Sequence, residues 1–363
     1  MTADGTRRLH QLLPVLDPGD AASGHTLQVQ QLLRDRGFES DIFCQETHPS
    51  LANAARPMSE FPGGPVIHQF AIGSLQADRL LAEDQPLALV SHNVTPPEFF
   101  EVWDPPLVHG CAWGRNQLAR LAPRCSIGIG VSRFNEADLV AFGCARSAVA
   151  PILLDTEGFE RAPDTATHEA LATLKVNGGT DWLFVGRLVP NKAQHDVIKA
   201  FAVYHRLVEP AARLWLVGGA SSARYEAALR GFVHAAGLSR AVTFTGPVSA
   251  GALSAHYRNA DVFVCLSDHE GFCVPLLEAM HHGVPIVAFA AAAVPETLGA
   301  GGVCLPEKVP TVVASTVARV VDDRLLHDQL VVAGKARLAD FALDRTRARF
   351  AEVIEPWYAE VTA

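Results

Sequence analysis

Short apolar runs rich in β-branched residues alternate with longer helix-patterned segments along most of the chain. Ten of these runs predict strands: LHQLLPVL, ESDIFCQ, PVIHQF, LALVSHN, SIGIGVS, DWLFVGR, RLWLVGG, AVTFTG, DVFVCLS and VPIVAFA. Segments such as HTLQVQQLLRDRG lie between them, and the basic residues and final glycine of this one are typical of a helix C-terminus. Strands that alternate with helices predict parallel sheets covered on both faces.

A change of pattern near the middle of the chain predicts two domains. The 363 residues exceed the roughly 250–300 at which a single hydrophobic core stops growing. The apolar run AVAPILLD ends at Asp155, and the polar segment after it, dotted with proline and glycine, predicts a linker. We expect one Rossmann-like domain over residues 1–160, a second over 161–340, and a terminal helix over 341–363 that packs back on the first. The predicted fold class is α/β, with two doubly wound sheets facing each other across a cleft.

Composition narrows the classes of function and location. The chain is 49% hydrophobic and 19% charged, which is ordinary for a globular protein. Its net charge of −9 argues against a nucleic-acid partner, because phosphates need a basic surface. No signal-peptide pattern is visible, and the longest apolar stretch is shorter than the roughly twenty residues of a spanning helix. Seven scattered cysteines without a C-x-x-C pair predict core thiols, so we expect a cytoplasmic protein.

Two loops that follow predicted strands carry side chains suited to a diphosphate and a sugar. In the first loop, Arg187 and Lys192 can both reach one anion. In the second, Glu270 precedes a helix whose first turn contains a proline, and Glu278 lies inside that helix. Helix N-termini attract phosphates, and carboxylates accept hydrogen bonds from vicinal diols. Taken singly, each feature is equally typical of a solvated loop or of ordinary charge placement at a helix start.

The ordered blocks GRLVPNK, LWLVGG, VTFTG, ADVFVCLS, EGFCVPLLEAM and GVPIVA…VPET together resemble the donor-binding half of family-4 glycosyltransferases of the GT-B fold. The resemblance spans residues 181–297 and implies a retaining transferase that uses a UDP- or GDP-sugar. It implies catalytic contacts from four residues: His92, Arg187, Lys192 and Glu270. It implies donor contacts from a larger set: Gly19, Gly186, Arg187, Lys192, Gly246, Gly271, Phe272, Cys273, Val274 and Glu278.

The same resemblance assigns roles within these sets. Arg187 and Lys192 would bind the diphosphate and stabilise the charge of the leaving group. Glu270 would contact the transferred sugar, and Glu278 would hold the ribose. The first half resembles the family more loosely and supplies the candidates for the acceptor side: His68, Asn93, Ser132 and Arg133. For both histidines, His68 and His92, a core position at a strand end is the alternative interpretation.

The chain departs from the family pattern at two places near the expected sugar. Cys273 stands where many relatives carry glycine, and Ala292-Ala293 replace a common Gly-Gly pair. These departures leave the identity of the sugar open. No D-x-D pattern follows a strand of the first half, so we expect neither a metal nor another cofactor.

Other functions stay open at this point. A nucleotide-sugar epimerase or a phosphorylase could use the same two-domain fold, but the late lysines, Lys308 and Lys335, lie in no motif for a pyridoxal cofactor. A dinucleotide oxidoreductase is another alternative, and it would need G-x-G-x-x-G after the first strand. A non-catalytic sugar-binding module is a further alternative.

The acceptor is also open: a carbohydrate, a lipid-linked glycan or a small metabolite. Arg115, Arg120 and Arg124, with Trp113, lie on one predicted helical stretch that could meet a membrane surface peripherally or bind an anionic acceptor. A solvated helix face is the favoured interpretation. The oligomeric state is not predicted.

Overall fold

The computed structural model describes residues 6–363 and divides the chain into two compact units. The first unit contains the residues up to Pro97, residues 106–155 and residues 341–363. The second contains residues 98–105 and 156–340. In the middle of the chain, the boundary between the units therefore falls after Asp155 rather than after residue 160, and the short segment 98–105 belongs to the second unit.

Parallel strands form the sheet of the first unit. The strands of this unit are β1 (Arg7–Arg8), β2 (His10–Leu16), β3 (Phe38–Glu39), β4 (Ile42–Thr47), β5 (Arg56–Pro57), β6 (Val66–Phe70), β7 (Leu87–Ser91), β8 (Ile127–Gly130) and β9 (Ser147–Val149). Seven of them pair in the order β5-β4-β2-β6-β7-β8-β9, while β1 pairs with β3. The order of the strands reverses between β2 and β6, as in doubly wound folds.

Four helices of the first unit precede its terminal helix. They are α1 (Ala21–Asp35), α2 (Leu75–Ala82), α3 (Pro105–Leu121) and α4 (Arg133–Ala141). Asp20 caps α1 by accepting a hydrogen bond from the Ser23 backbone N–H at 3.0 Å, and Ser74 and Ser132 cap α2 and α4 in the same way. The sequence thus places an oxygen acceptor at the start of α1, α2 and α4.

The second unit has its own parallel sheet. Its strands are β10 (Asp181–Val185), β11 (Arg213–Val217), β12 (Val242–Gly246), β13 (Val262–Cys265), β14 (Ile286–Phe289) and β15 (Val303–Leu305). They pair in the order β12-β11-β10-β13-β14-β15, so the order reverses between β10 and β13. The carboxyl ends of these two neighbouring strands lead into the Arg187 loop and the Glu270 loop. The α/β fold class with two doubly wound sheets is thereby confirmed.

Helices cover the second sheet and bury an aromatic core. They are α5 (Thr165–Val176), α6 (Gln194–Leu207), α7 (Ala223–Ala235), α8 (Ala250–Asn259), α9 (Val274–His281), α10 (Val294–Leu298), α11 (Pro310–Asp322) and α12 (Arg324–Leu338). Trp182 of β10 is fully buried, and its ring lies 5.6 Å from Phe201 and 5.2 Å from Tyr204, both on α6. Edge-to-face aromatic contacts of this kind stabilise beyond the area that they bury.

The terminal helix α13 (Leu343–Val361) belongs to the first unit. Phe350 and Trp357 on this helix are fully buried, and the Phe350 ring lies 5.6 Å from the ring of His25 on α1. Tyr358 packs edge-to-face on Phe38 at 4.9 Å. The amphipathic pattern of the segment therefore reflects a buried face directed at this unit.

Short 3₁₀ helices interrupt the loops at Pro49–Leu51, Met58–Glu60, Pro97–Phe99, Glu157–Phe159, Pro190–Lys192 and Ala339–Phe341. All seven cysteines are free thiols, and Cys304 is the one that is partly exposed. Among the helices of the described residues, none combines the length and the apolar character needed to cross a membrane.

Candidate functional site

A buried ion pair joins the two loops at the point where the strand order of the second sheet reverses. The Lys192 Nζ donates to Glu270 Oε1 at 2.8 Å and to Oε2 at 3.0 Å. The two side chains are only 17% and 9% exposed. The Ser267 hydroxyl donates to Glu270 Oε1 at 2.8 Å. Ligands of open α/β sheets bind at this kind of edge, so the structure brings together the predicted Lys192 and Glu270 where a ligand is expected.

The electrostatics of the pair keep the lysine charged. Burial by itself disfavours the ammonium and lowers the pKa of Lys192. The Glu270 carboxylate opposes this effect, and together with Cys273 and Cys265 it outweighs burial, so the pKa of Lys192 is raised above its ordinary value. A cation in a partly dry site interacts more strongly with an anionic ligand than one in bulk water.

Additional hydrogen bonds fix the two loops against each other. The Asn191 side-chain amide donates to the His269 carbonyl at 3.0 Å, and the Asp268 backbone N–H donates to the Asn191 carbonyl at 2.8 Å. Lys308 forms ion pairs with Asp268 at 2.6 Å and with Asp196 at 2.7 Å. The sequence indicates Lys308 only as a candidate cofactor lysine, whereas the structure uses it to join the Asp268 loop to α6.

Glu278 lies on α9 and has a partner that the sequence did not suggest. The Tyr257 hydroxyl donates to Glu278 Oε2 at 2.7 Å. Burial raises the pKa of Glu278, and the hydrogen bond from Tyr257 acts in the opposite direction. Tyr257 is on α8, and no local motif connects it with the EGFCVPLLEAM segment.

Glycines give the first loop its close packing. Gly186 has φ of 148°, and a Cβ there would lie 3.3 Å from Lys192 Cδ. Gly218, with φ of 137°, lies so close to Gly186 that a Cβ at position 218 would be 2.2 Å from the Gly186 carbonyl oxygen. Gly246, the last residue of β12, has φ of 70°. Arg187 is exposed, and its carbonyl accepts a hydrogen bond from the Gln194 side chain at 2.8 Å.

The turn of residues 271–274, which contains the predicted Gly271, Phe272, Cys273 and Val274, leads directly into α9. Cys273 is the N-cap and adopts a left-handed backbone with φ of 73°. The Thr297 hydroxyl donates to the Phe272 carbonyl at 2.6 Å. Ala292 is also left-handed, with φ of 49°. Both departures from the family pattern thus keep the backbone conformation that glycine adopts most readily.

In the first unit, three predicted residues lie in different environments. Gly19 is exposed in the loop after β2, where its N–H donates to the Asp17 carboxylate at 2.9 Å. His92 directly follows β7, and its Nε2 donates to Gln69 Oε1 at 2.8 Å. His68 lies within β6 and is fully buried, with Nδ1 donating to the Leu12 carbonyl at 3.2 Å. Burial lowers the pKa of both histidines to about 4.

The remaining candidates of the first unit lie in a loop and at the start of a helix. Asn93 is left-handed with φ of 84°. The Ser132 hydroxyl accepts from the Asn135 backbone N–H at 3.3 Å as the cap of α4, and Arg133 is the exposed first residue of that helix.

The predicted basic stretch is not one helix face. Arg115 forms an ion pair with Asp138 at 3.3 Å and donates to the Val94 carbonyl at 3.0 Å. Arg124 lies beyond the end of α3 at Leu121 and donates to the Leu81 carbonyl. Two of the three arginines therefore bind groups of their own unit.

Comparisons with known proteins identify the family of this chain. The family model of glycosyl transferases group 1 matches residues 172–337. A GDP-mannose-dependent alpha-(1-6)-phosphatidylinositol monomannoside mannosyltransferase of Mycolicibacterium smegmatis is 32% identical over 273 residues, which cover 68% of each chain. This chain belongs to the glycosyl transferases group 1 family. Its Lys192–Glu270 pair lies in the part of the chain that the family model covers.

Two further relatives and one solved structure show how far the similarity extends. A D-inositol 3-phosphate glycosyltransferase of Kineococcus radiotolerans is 25% identical to this chain over 94% of this chain and 92% of its own. The alignment with the Mycobacterium tuberculosis mannosyltransferase spans 58% of that relative's length. A solved structure of Anabaena HepE in complex with UDP-glucose has a TM-score of 0.75 at 18% identity, covering 96% of this chain and 99% of HepE. The structural likeness shows the GT-B fold.

Proposed function

We propose that this chain is a retaining glycosyltransferase of family 4, which transfers a sugar from a nucleoside diphosphate to an acceptor hydroxyl. The Lys192–Glu270 pair at the reversal of strand order carries the proposal. It offers a cation for a diphosphate and a carboxylate for sugar hydroxyls at one sheet edge. Glu278, on the helix that follows, offers a second carboxylate for the ribose.

In the proposed reaction, the bond between the anomeric carbon and the phosphate oxygen breaks, and a bond to the acceptor oxygen forms on the same face. The acceptor proton passes to the leaving phosphate oxygen. Lys192, which Glu270 keeps charged, and the exposed Arg187 stabilise the negative charge on the diphosphate. Since these two side chains supply positive charge, we propose that the transfer needs no metal.

His92 would act in this scheme as a neutral hydrogen-bonding group. With a pKa of about 4, its ring is uncharged near neutral pH. Its Nε2–H is used by Gln69, so Nδ1 is an acceptor, and Nδ1 has no partner among the residues that the structure describes.

The names of the relatives suggest which substrates to test first. One relative is named for GDP-mannose and a phosphatidylinositol monomannoside, and another for inositol 3-phosphate. We propose GDP-mannose as the donor and a hydroxyl of an inositol-containing phosphate as the acceptor. The acceptor would thus be either lipid-linked or a small metabolite.

The decisive assay offers the purified chain GDP-mannose or UDP-glucose with inositol phosphates, and measures nucleoside diphosphate release together with the anomeric configuration of the product. We expect retention, no loss of turnover when a chelator is added, and a loss of about 100-fold in turnover for Lys192→Ala, the scale of one transition-state contact. Lys335→Ala, which changes an exposed lysine of α12, is the matched control. Inversion of the product, or equal turnover in the two variants, would overturn the proposal.

A further inference from the structure

Two buried thiols lie beside the Lys192–Glu270 pair. Cys265 ends β13 and Cys273 caps α9, and their Sγ atoms are 3.8 Å apart. Together with the Glu270 carboxylate, they form a group in which one ligand atom from each residue lies within 4.8 Å of the others. Within residues 6–363, no other three His, Cys, Asp or Glu side chains form such a group.

We propose that Cys265, Cys273 and Glu270 form a binding site for a thiophilic divalent cation of the zinc type. Tetrahedral zinc with Zn–S bonds of about 2.3 Å places two thiolate sulfurs about 3.8 Å from each other. The two Sγ atoms already have this separation. Two thiolates and one carboxylate are ligands that zinc accepts, and water completes the fourth position.

The Glu270 carboxylate can bind the cation and keep its hydrogen bonds. Glu270 Oε1 accepts from both Ser267 and Lys192, whereas Oε2 accepts from Lys192 at 3.0 Å. A carboxylate oxygen has two lone pairs, so Oε2 can bind a metal and keep this hydrogen bond. The residue type at position 273 also favours the site, since Cys273 supplies a thiol at a turn whose left-handed backbone glycine would adopt more readily.

The charge of the site is balanced before and after binding. The two thiols lose two protons to solvent when the cation binds, and the two thiolates neutralise its two charges. Lys192 and Glu270 continue to neutralise each other. The buried pocket thus gains no net charge, which avoids the large penalty of an uncompensated buried ion.

A cation held by Glu270 and by the N-cap of α9 would restrain the groups proposed to contact the donor sugar. Zinc should therefore compete with the nucleotide sugar. This consequence rests on the proposed function, whereas the binding of the cation does not.

The test is a titration of the metal-free full chain with Co²⁺, followed by its displacement with Zn²⁺. We expect one equivalent to produce a cobalt–thiolate absorption band, which Zn²⁺ removes. Cys265→Ser and Cys273→Gly should each abolish the band; glycine suits the left-handed backbone at position 273, so this second variant guards against misfolding. Cys125→Ser is the matched control, because Cys125 and Cys144 form the other close thiol pair, with Sγ atoms 3.5 Å apart, and it should keep the band.

Absence of a thiolate band, or a band that survives in both Cys265→Ser and Cys273→Gly, would overturn the site. In a second arm, saturating Zn²⁺ should weaken the affinity for GDP-mannose or UDP-glucose at least tenfold in the wild-type chain. Unchanged affinity with a normal cobalt band would overturn the competition alone. A chain that binds neither nucleotide sugar but shows the band would instead contradict the proposed function.

Discussion

The Lys192 ammonium donates to both oxygens of the Glu270 carboxylate, although the two residues are 78 positions apart in the chain. Each follows one of the two central strands of its sheet, β10 and β13, between which the strand order reverses. The contact is therefore a product of topology, because parallel strands bring the loops after their carboxyl ends to one edge. It joins the two loops and keeps a cation charged at the place where a diphosphate is proposed to bind.

The first prediction concerns the energetic coupling of this pair. Lys192→Met leaves the Glu270 carboxylate buried without its cation, so we expect a loss of about 3 kcal/mol in the free energy of unfolding. Glu270→Gln should destabilise as well, but the double variant should lose clearly less than the sum of the two. Urea unfolding of the four proteins measures the coupling. Additivity within about 0.5 kcal/mol would show that the two side chains do not depend on each other.

The second prediction separates Glu278 from the groups near the reacting bond. If its carboxylate holds the ribose, Glu278→Gln should weaken nucleotide-sugar binding about tenfold, the scale of one hydrogen bond to a charged group, with little effect on kcat. Tyr257→Phe removes the hydroxyl that donates to Glu278 and should raise KM in the same direction by a smaller factor. Steady-state kinetics give KM and kcat separately. Glu307→Gln, an exposed loop carboxylate, is the control, and a fall in kcat without a change in KM would contradict the assignment.

The sequence predicts elements well where a hydrophobic run is long and ends in a turn. Runs such as DWLFVGR and DVFVCLS appear as β10 and β13. The run AVAPILLD predicts a strand longer than β9. The observed strand stops at Val149 because Pro151 has no N–H to donate to a sheet. The edge strand Arg56–Pro57 and the three-residue Val303–Leu305 are too short for any periodic pattern.

The site was predictable to the extent that its chemistry is local. Arg187, Lys192 and the two glutamates lie in short motifs after strands, so their residue types and spacing indicate them directly. Residue types and spacing do not indicate the long-range contacts of these loops. Lys308 reaches Asp268 over 40 positions, and Tyr257 reaches Glu278 from another helix. Such contacts depend on how helices pack on the sheet, which no local pattern specifies.

The third prediction is acid lability of the first unit. Burial lowers the pKa of His68 and of His92 to about 4, so both bind fewer protons in the folded state than in the unfolded state below pH 6.5. Stability should therefore fall as the pH drops from about 6.5 towards 4, by roughly 2–3 kcal/mol for each histidine, at 1.36 kcal/mol per pKa unit. His68→Asn should flatten this slope of unfolding free energy against pH. His109→Asn, at an exposed position of α3, should leave it unchanged, and equal slopes in the two variants would contradict the argument.

The last prediction uses the left-handed backbone at Ala292, where φ is 49°. An L-residue in this conformation costs roughly 1–2 kcal/mol, whereas glycine adopts it freely but loses more entropy on folding. We expect Ala292→Gly to raise the free energy of unfolding by up to about 1 kcal/mol, because the relieved strain exceeds the entropy term. Ala228→Gly, at an exposed position inside α7, should lower it by about 1 kcal/mol, since glycine there only weakens a helix. Thermal unfolding of the two variants gives the comparison, and the same sign of change in both would show that the backbone at Ala292 is not strained.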